Sequence, residues 1–402
     1  MPATTPPKPA DDQQMTLPLL DAFFAQDSFA SELKSKLVLT DEQVNKLKGI
    51  ARQETAKLRE SDSERSAGTA KAARVEASEQ IKAVVGEQKL QELTAFLNDR
   101  WSGNTGASTT SGVGVPQDTR VVVNAPAFRM DVFEDGKLVK SYKIGIGYPE
   151  FPLPTGLRKA ETIIFNPTWT PPDEPWVESP NSKVKVGEKI EAGDKLNPLG
   201  PIKIPIGLPS LIHGGKAPAK LGGFASHGCV GLTSPQVQDF AKRLARLSGT
   251  QISDEQIAEY GKKKTETRPL KLSKAVPVEL RYETITVEDG KLHIYRDVYD
   301  HGTNTEENLR NVLQAYGVAA DQLAEDERAQ IKRGLSQMAR DATGKPSEAD
   351  GSTPRKNPTG KVTRTIKGGK EVIVEIAALA GKGYPAAVEM DTGITPKKTA
   401  PR

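Results

Sequence analysis

The chain has 402 residues and a single cysteine, Cys229, set in FASHGCVGL directly after a histidine and a glycine. Of its four histidines, His213 and His227 are the nearest to that thiol. A thiol becomes a useful nucleophile when a neighbour takes or stabilises its proton. His213 lies in LIHGG at the end of an apolar, β-like run, a rigid place from which an imidazole can project as the base. Gly222-Gly223 and Gly228 permit unusual backbone angles, so successive N–H groups around His227, Gly228 and Cys229 can converge on one point. Such a nest suits the oxyanion that forms when a thiolate attacks a carbonyl. Nucleophile, candidate base and candidate oxyanion hole are the parts of an acyl transfer.

Two other chemistries compete for the same residues. A lone cysteine also serves as a small buried hydrophobe. Zinc held by His213, His227 and Cys229 is a third reading. However, no second cysteine exists, and the single residue between His227 and Cys229 is shorter than the usual ligand spacing. No metal and no organic cofactor is expected.

The composition is that of a globular chain, with 36% apolar and 27% charged residues. A net charge of +4 does not argue for nucleic acid. The stretch Thr353–Arg402 is more basic, with ten Lys and Arg against four Asp and Glu. No apolar run has the length of about 20 residues that spans a membrane, and MPATTPPKPADDQQ lacks the marks of a signal peptide. An exported protein would need its export segment upstream of this sequence.

Several elements must position the thiol. Residues 1–15 are rich in Pro, Thr and Asp and read as disordered. A helical region follows over residues 16–101. TLPLLDAFFA reads as a core or docking helix, and Thr40 and Gln43 form a capping-box pattern ahead of Val44, Leu47 and Ala51. Gly86 interrupts a second helical stretch. A Gly/Ser/Thr linker covers residues 102–118. Residues 119–302 then change period: short strands with hairpin signals at Asp135-Gly136 and Asp289-Gly290 predict a mainly β domain, a sandwich or barrel. A helix over Pro235–Leu247 follows the cysteine. Residues 303–343 return to helix, 344–360 form a second linker, and 361–402 read as a small hairpin turning at Gly368-Gly369, with a basic tail.

The spacing H-G-x(11)-S-H-G-C, from His213 to Cys229, resembles the signature of the L,D-transpeptidase catalytic domain, the YkuD-type family. VVVNAPAFRMDVFEDGK, GYPEFPLPTG, NPTWTPP, NPLG and KLHIYRDVYDHG match the family's other pieces in order, so the resemblance covers about residues 119–302. It implies a cysteine-dependent transferase of the bacterial cell wall. Cys229 attacks the bond after the diaminopimelate of a peptidoglycan tetrapeptide stem, D-alanine leaves, and an amine of a second stem or an acceptor protein resolves the thioester. Carried onto this chain, His213 is the base, and the Gly214 carbonyl orients it. His227, Gly228 and Cys229 offer the oxyanion hole, and Ser226 braces the loop. Trp169, Tyr295, Arg296 and His301 are candidates for the substrate cleft, with Trp176 beside Trp169 in its Pro-rich loop. The resemblance implies a location in the periplasm or cell wall. It differs at one place: the family has Asn or Arg two residues after the cysteine, and this chain has Gly231. A hydrolase using water as acceptor, or a degenerate module that only binds peptidoglycan, are the alternatives. LTDEQVNKL and VGEQKLQEL weakly resemble the LTxxQ-type helical hairpins of periplasmic stress chaperones.

Overall fold

The structure, a computed structural model, describes residues 15–24, 29–59, 70–102, 114–171, 177, 183–207, 210–342, 344, 346 and 365–393. The readings made for residues 1–14, for most of both linkers, for Trp176 and for the last residues of the tail lie outside these.

Five helices come first: α1 (Leu17–Phe24), α2 (Phe29–Leu37), α3 (Asp41–Arg59), α4 (Ala70–Val85) and α5 (Glu87–Ser102). The capping box forms at the head of α3. Gln43 donates its N–H to Thr40 Oγ1 at 3.1 Å, and Thr40 returns its N–H to Gln43 Oε1 at 3.0 Å. Gly86, at φ +82°, separates α4 from α5, a left-handed angle that glycine adopts without a Cβ penalty. The apolar stripes meet in a core of their own around Leu17, Phe23, Phe29, Leu47, Ile81, Leu93 and Leu97. Phe29 stacks on Phe23 and Phe96, with ring centroids 5.4 and 6.4 Å away.

The central region contributes β1 (Arg120–Asn124), β2 (Arg129–Glu134), β3 (Lys137–Lys143), β4 (Ile146–Gly147), β5 (Gly156–Phe165), β6 (Ile202–Pro205), β7 (Leu211–His213), β8 (Phe224–Ser226), β9 (Val230–Gly231), α6 (Ser234–Leu247), α7 (Asp254–Lys262) and β10 (Arg268–Arg281). Eight strands form one curled sheet in the order β3-β2-β1-β10-β5-β6-β7-β9. The β1–β10 and β7–β9 pairs are parallel. At the expected hairpin, Asp135 and Gly136 have φ of +47° and +77°, the pair of positive angles that a two-residue turn between twisted strands requires. Beyond β9, Gly145 and Gly231 exchange backbone hydrogen bonds of 2.9 and 2.8 Å, and β4 pairs with β8. The core face, including Val121, Ile163, Ile204, Ile212 and Val230, packs against Val237, Phe240 and Leu244 of α6. Thr233 opens α6 with a full capping box and a proline in the first turn.

The remaining chain forms a third packed unit from β11 (Ile285–Glu288), β12 (Lys291–Tyr295), α8 (Glu306–Ala315), α9 (Glu325–Met338) and β13 (Glu371–Glu375). The Asp289-Gly290 hairpin forms, but its strands make a separate sheet, β11-β12-β13. Residues 119–302, read from sequence as one domain, therefore contribute to three sheets: the main sheet, the two-stranded β4-β8 pair, and the sheet of β11, β12 and β13. Where a hairpin turning at Gly368-Gly369 was read, β13 pairs antiparallel with β12, and residues 361–364 of that reading lie outside the described residues. Burial decides this, because β13 carries Val374 into the core formed by Leu292, Ile294, Ile331 and Leu335. Past β13 the chain returns to the main sheet. Ser141 donates its N–H to Val388 O at 2.9 Å, and Lys143 donates to Asp391 O at 2.9 Å. The exposed edge of β3 is thereby covered, which removes a template for unwanted strand pairing.

A buried ionic network joins the two β units. Arg129 reaches Asp131 at 2.8 Å, Glu288 at 2.8 Å and Pro385 O at 3.1 Å, while Tyr295 donates to Glu288 at 2.7 Å. Arg129→Met leaves two buried carboxylates without their cation and is expected to cost about 3–5 kcal/mol. Equilibrium unfolding in urea measures this; a loss under about 1 kcal/mol would show that the network relaxes freely.

Candidate active site

Cys229 sits at the end of the tight loop between β8 and β9 and is partly exposed. Ser226 closes that loop on itself. Its hydroxyl accepts the Cys229 N–H at 3.0 Å and donates to the Cys229 carbonyl at 2.5 Å. Gly228, at φ +86°, makes the reversal possible. The loop is also packed from above: a Cβ on Gly147 would lie 3.1 Å from Gly228 Cα. Tyr148 and Phe151 hold the His227 ring edge-on at centroid distances of 5.2 and 4.9 Å.

The strand register brings in the imidazole. In the parallel β7–β9 pair, Ile212 faces Val230 and His213 faces Gly231. Leu232 donates its N–H to His213 O at 2.9 Å. His213 is buried, with Nδ1 2.8 Å from the Gly214 carbonyl. A carbonyl only accepts, so Nδ1 carries the hydrogen and Nε2 keeps its lone pair. Gly214 must be small: a Cβ there would lie 2.7 Å from Val237 Cγ1, the first turn of α6 pressing directly on the His-Gly pair.

Electrostatics keep both groups uncharged at rest. Burial pushes the His213 imidazole down to about 3, the Lys216 charge adds to this, and the Gly214 and Leu199 carbonyls oppose it. Burial pushes the Cys229 thiol up, against the Leu211 N–H and the Lys216 charge. Both shifts favour the uncharged forms, a neutral thiol and a neutral imidazole.

The other sequence candidates distribute unevenly. His227 and Gly228 flank the thiol. Ser226 is engaged with the Cys229 backbone, so the Cys229 N–H expected in the oxyanion hole is taken by that hydroxyl. Trp169 exchanges backbone hydrogen bonds with Ile190 at 2.9 and 2.8 Å, on a loop whose far end meets the site where Gly200 packs on Gly214 and Gly215. Tyr295, Arg296 and His301 are not drawn into the Cys229 cluster. The Tyr295 hydroxyl is bound to Glu288. Arg296 donates to Gly369 O at 2.6 Å and Asp341 O at 3.3 Å, tying down the chain before β13. His301 packs edge-on against Tyr282 at 4.4 Å, with Arg74 of α4 bound to the neighbouring Tyr299 and Asp300 carbonyls. Among the described residues no group of His, Cys, Asp and Glu converges as metal ligands. Sequence reasoning missed Lys216, Tyr148 and Phe151, which no motif marks; only the packing brings them to the loop.

Ser226→Ala leaves the Cys229 N–H without its acceptor, which costs about 1–3 kcal/mol and loosens the thiol's position. Thermal unfolding and the alkylation rate of Cys229, measured together, are expected to report a less stable chain with altered thiol reactivity. An unchanged melting temperature would refute this role for Ser226.

A curled strand-rich sheet that presents a loop thiol beside a backbone-held histidine defines a class, and comparison with known proteins gives it a family. Residues 118–267 match the L,D-transpeptidase catalytic domain, YkuD. The chain therefore carries an L,D-transpeptidase-type catalytic domain, and its helical flanks lie outside the match. A search of curated proteins returns no match. Among solved structures, the catalytic domain of an E. faecium L,D-transpeptidase is 17% identical, with a TM-score of 0.27, covering 42% of this chain and 100% of that one. An L,D-transpeptidase from Mycobacterium smegmatis is 16% identical, at TM-score 0.23, covering 41% of this chain and 58% of that one. L,D-transpeptidase 3 from Mycobacterium tuberculosis is 15% identical, at TM-score 0.23, covering 40% and 60%. The chain thus spans less than two thirds of both mycobacterial proteins, and likenesses this distant add nothing to the family match. L,D-transpeptidase domains act on peptidoglycan stem peptides and are typically cell-wall or periplasmic bacterial enzymes. Among the described residues no helix is long and apolar enough to cross a membrane.

Proposed function

We propose that this protein is a peptidoglycan L,D-transpeptidase with Cys229 as nucleophile and His213 as base, working in the periplasm or cell wall. The observation that carries the reading is the fixed pair of strands: His213, held by the Gly214 carbonyl, lies in register beside the Ser226-closed loop that presents Cys229. Because thiol and imidazole rest neutral, deprotonation accompanies attack. His213 Nε2 takes the thiol proton as sulfur bonds to the carbonyl carbon between diaminopimelate and D-alanine. The oxyanion forms among the loop amides around His227 and Gly228. Its collapse breaks the C–N bond, the imidazolium returns its proton to the departing amine, and D-alanine leaves a thioester on Cys229. An acceptor amine then attacks, its proton passes to His213, and the thiol is regenerated.

Intact-mass spectrometry after incubation with a disaccharide-tetrapeptide tests this. A tripeptide adduct on the native chain, absent in Cys229→Ala and discharged by an added amine, is expected. Discharge to water alone would make the protein an L,D-carboxypeptidase. Binding of peptidoglycan fragments without any adduct would make the domain a binding module.

A further inference from the structure

Gly231 is where the loop departs from the pattern it resembles, and the structure fills the gap from elsewhere. A Cβ built on Gly231 would lie 2.8 Å from Lys216 Cγ, 3.4 Å from Cδ and 3.1 Å from Cε. The Lys216 stem therefore runs lengthwise over β9, through the volume that a side chain at position 231 would occupy. Its backbone is pinned, with the Lys216 N–H donating to Leu232 O at 3.0 Å. The preceding residue, Gly215, sits at φ +80°, where a Cβ would meet Pro198 O at 2.9 Å. Gly231 is the register partner of His213. Cys229 ends the loop that runs directly into β9, two residues before Gly231. The stem thus runs over the strand that pairs with His213 and continues directly from Cys229. The neighbouring charges agree. Lys216 lowers both His213 and Cys229, while Cys229 holds the lysine up against the larger effect of burial and the nearby Lys220.

We propose that Lys216 is the cationic positioning residue of the Cys229 site: its stem takes the place of a side chain at 231, and its ammonium faces the charge that develops on sulfur. Its effect on turnover rests on the acyl-transfer reading above; its effect on the thiol does not. The lysine transfers no proton. The thiol proton goes to His213, and the ammonium stabilises the sulfur's negative charge until the C–S bond forms. Glycine at 231 leaves the stem in place, whereas a larger residue would have to displace it.

The test uses the pH dependence of iodoacetamide alkylation in the full chain, where Cys229 is the sole thiol. In Lys216→Met the alkylation midpoint is expected to rise by about one pH unit, slowing the reaction at neutral pH about tenfold. Lys216→Arg should retain most of the native rate. Gly231→Ala, which displaces the stem without removing the charge, should shift the midpoint the same way. Combining it with Lys216→Met should add nothing further. With the stem-peptide donor, kcat should fall about tenfold in Lys216→Met with KM unchanged. A native midpoint in Lys216→Met, or additive shifts in the double variant, would overturn the proposal. So would a loss confined to KM, which would make Lys216 an anchor for a substrate carboxylate. If the native chain turns over no donor, acyl transfer fails as a function, and the alkylation profiles still decide the role of Lys216.

Discussion

Cys229→Ala is expected to abolish adduct formation and to lower donor turnover by on the order of 10⁴-fold or more, because no other group in the chain can form the thioester. The fold should be nearly unaffected. Both Ser226 hydrogen bonds go to the backbone of residue 229, and alanine supplies the same N–H and carbonyl. A melting temperature within a few degrees of the native value, together with complete loss of the adduct, is the expected combination. Residual turnover above about 1% of native would place the nucleophile elsewhere and defeat the assignment.

His213→Gln is the second large effect, with an expected loss of about 10²–10⁴-fold in the acylation rate. Glutamine can still donate to the Gly214 carbonyl but has no basic nitrogen to take the thiol proton. The same residue gives the chain an acid sensitivity. Its imidazole titrates at about 3 in the folded chain, against 6.5 when free. Between those values the unfolded chain binds the extra proton, so acid favours unfolding. The contribution of His213 to stability is complete above pH 6.5 and declines as pH falls toward 3. His301, held well below its ordinary value by burial and by the Arg74 charge, acts in the same direction. Stability measured across this range should fall less steeply in His213→Gln than in the native chain. Parallel curves would mean that His213 is accessible to protons in the folded state. Single-turnover acylation at neutral pH gives the catalytic half of the prediction, and a native rate there would remove His213 as the base.

What the sequence determined by itself is the part governed by local chemistry. Alternation and the Asp-Gly pairs located the hairpins, since two positive φ angles in succession favour those residue types whatever surrounds them. Thr40 with Gln43, and Gly86, set helix boundaries within a turn of themselves. The Ser-His-Gly-Cys run was legible as a tight loop because Ser226, Gly228 and Cys229 lie within a few residues of one another. Tertiary structure decided what depends on neighbours distant in the chain. The β12 edge was taken by β13 rather than by the main sheet, because apolar residues of two remote segments found one core. Tyr295 and Arg296 found partners in Glu288, Asp341 and Gly369, none of which a motif connects to them. Ser226 turned its hydroxyl onto the Cys229 amide and so altered the oxyanion hole that the loop's glycines suggested. At Gly231 the sequence displays only a missing side chain, and the packed chain lays the stem of Lys216 across it. Local propensities act over one or two turns of backbone, whereas occupancy of a shared volume is settled only when β7, β9 and the loop between them close against α6.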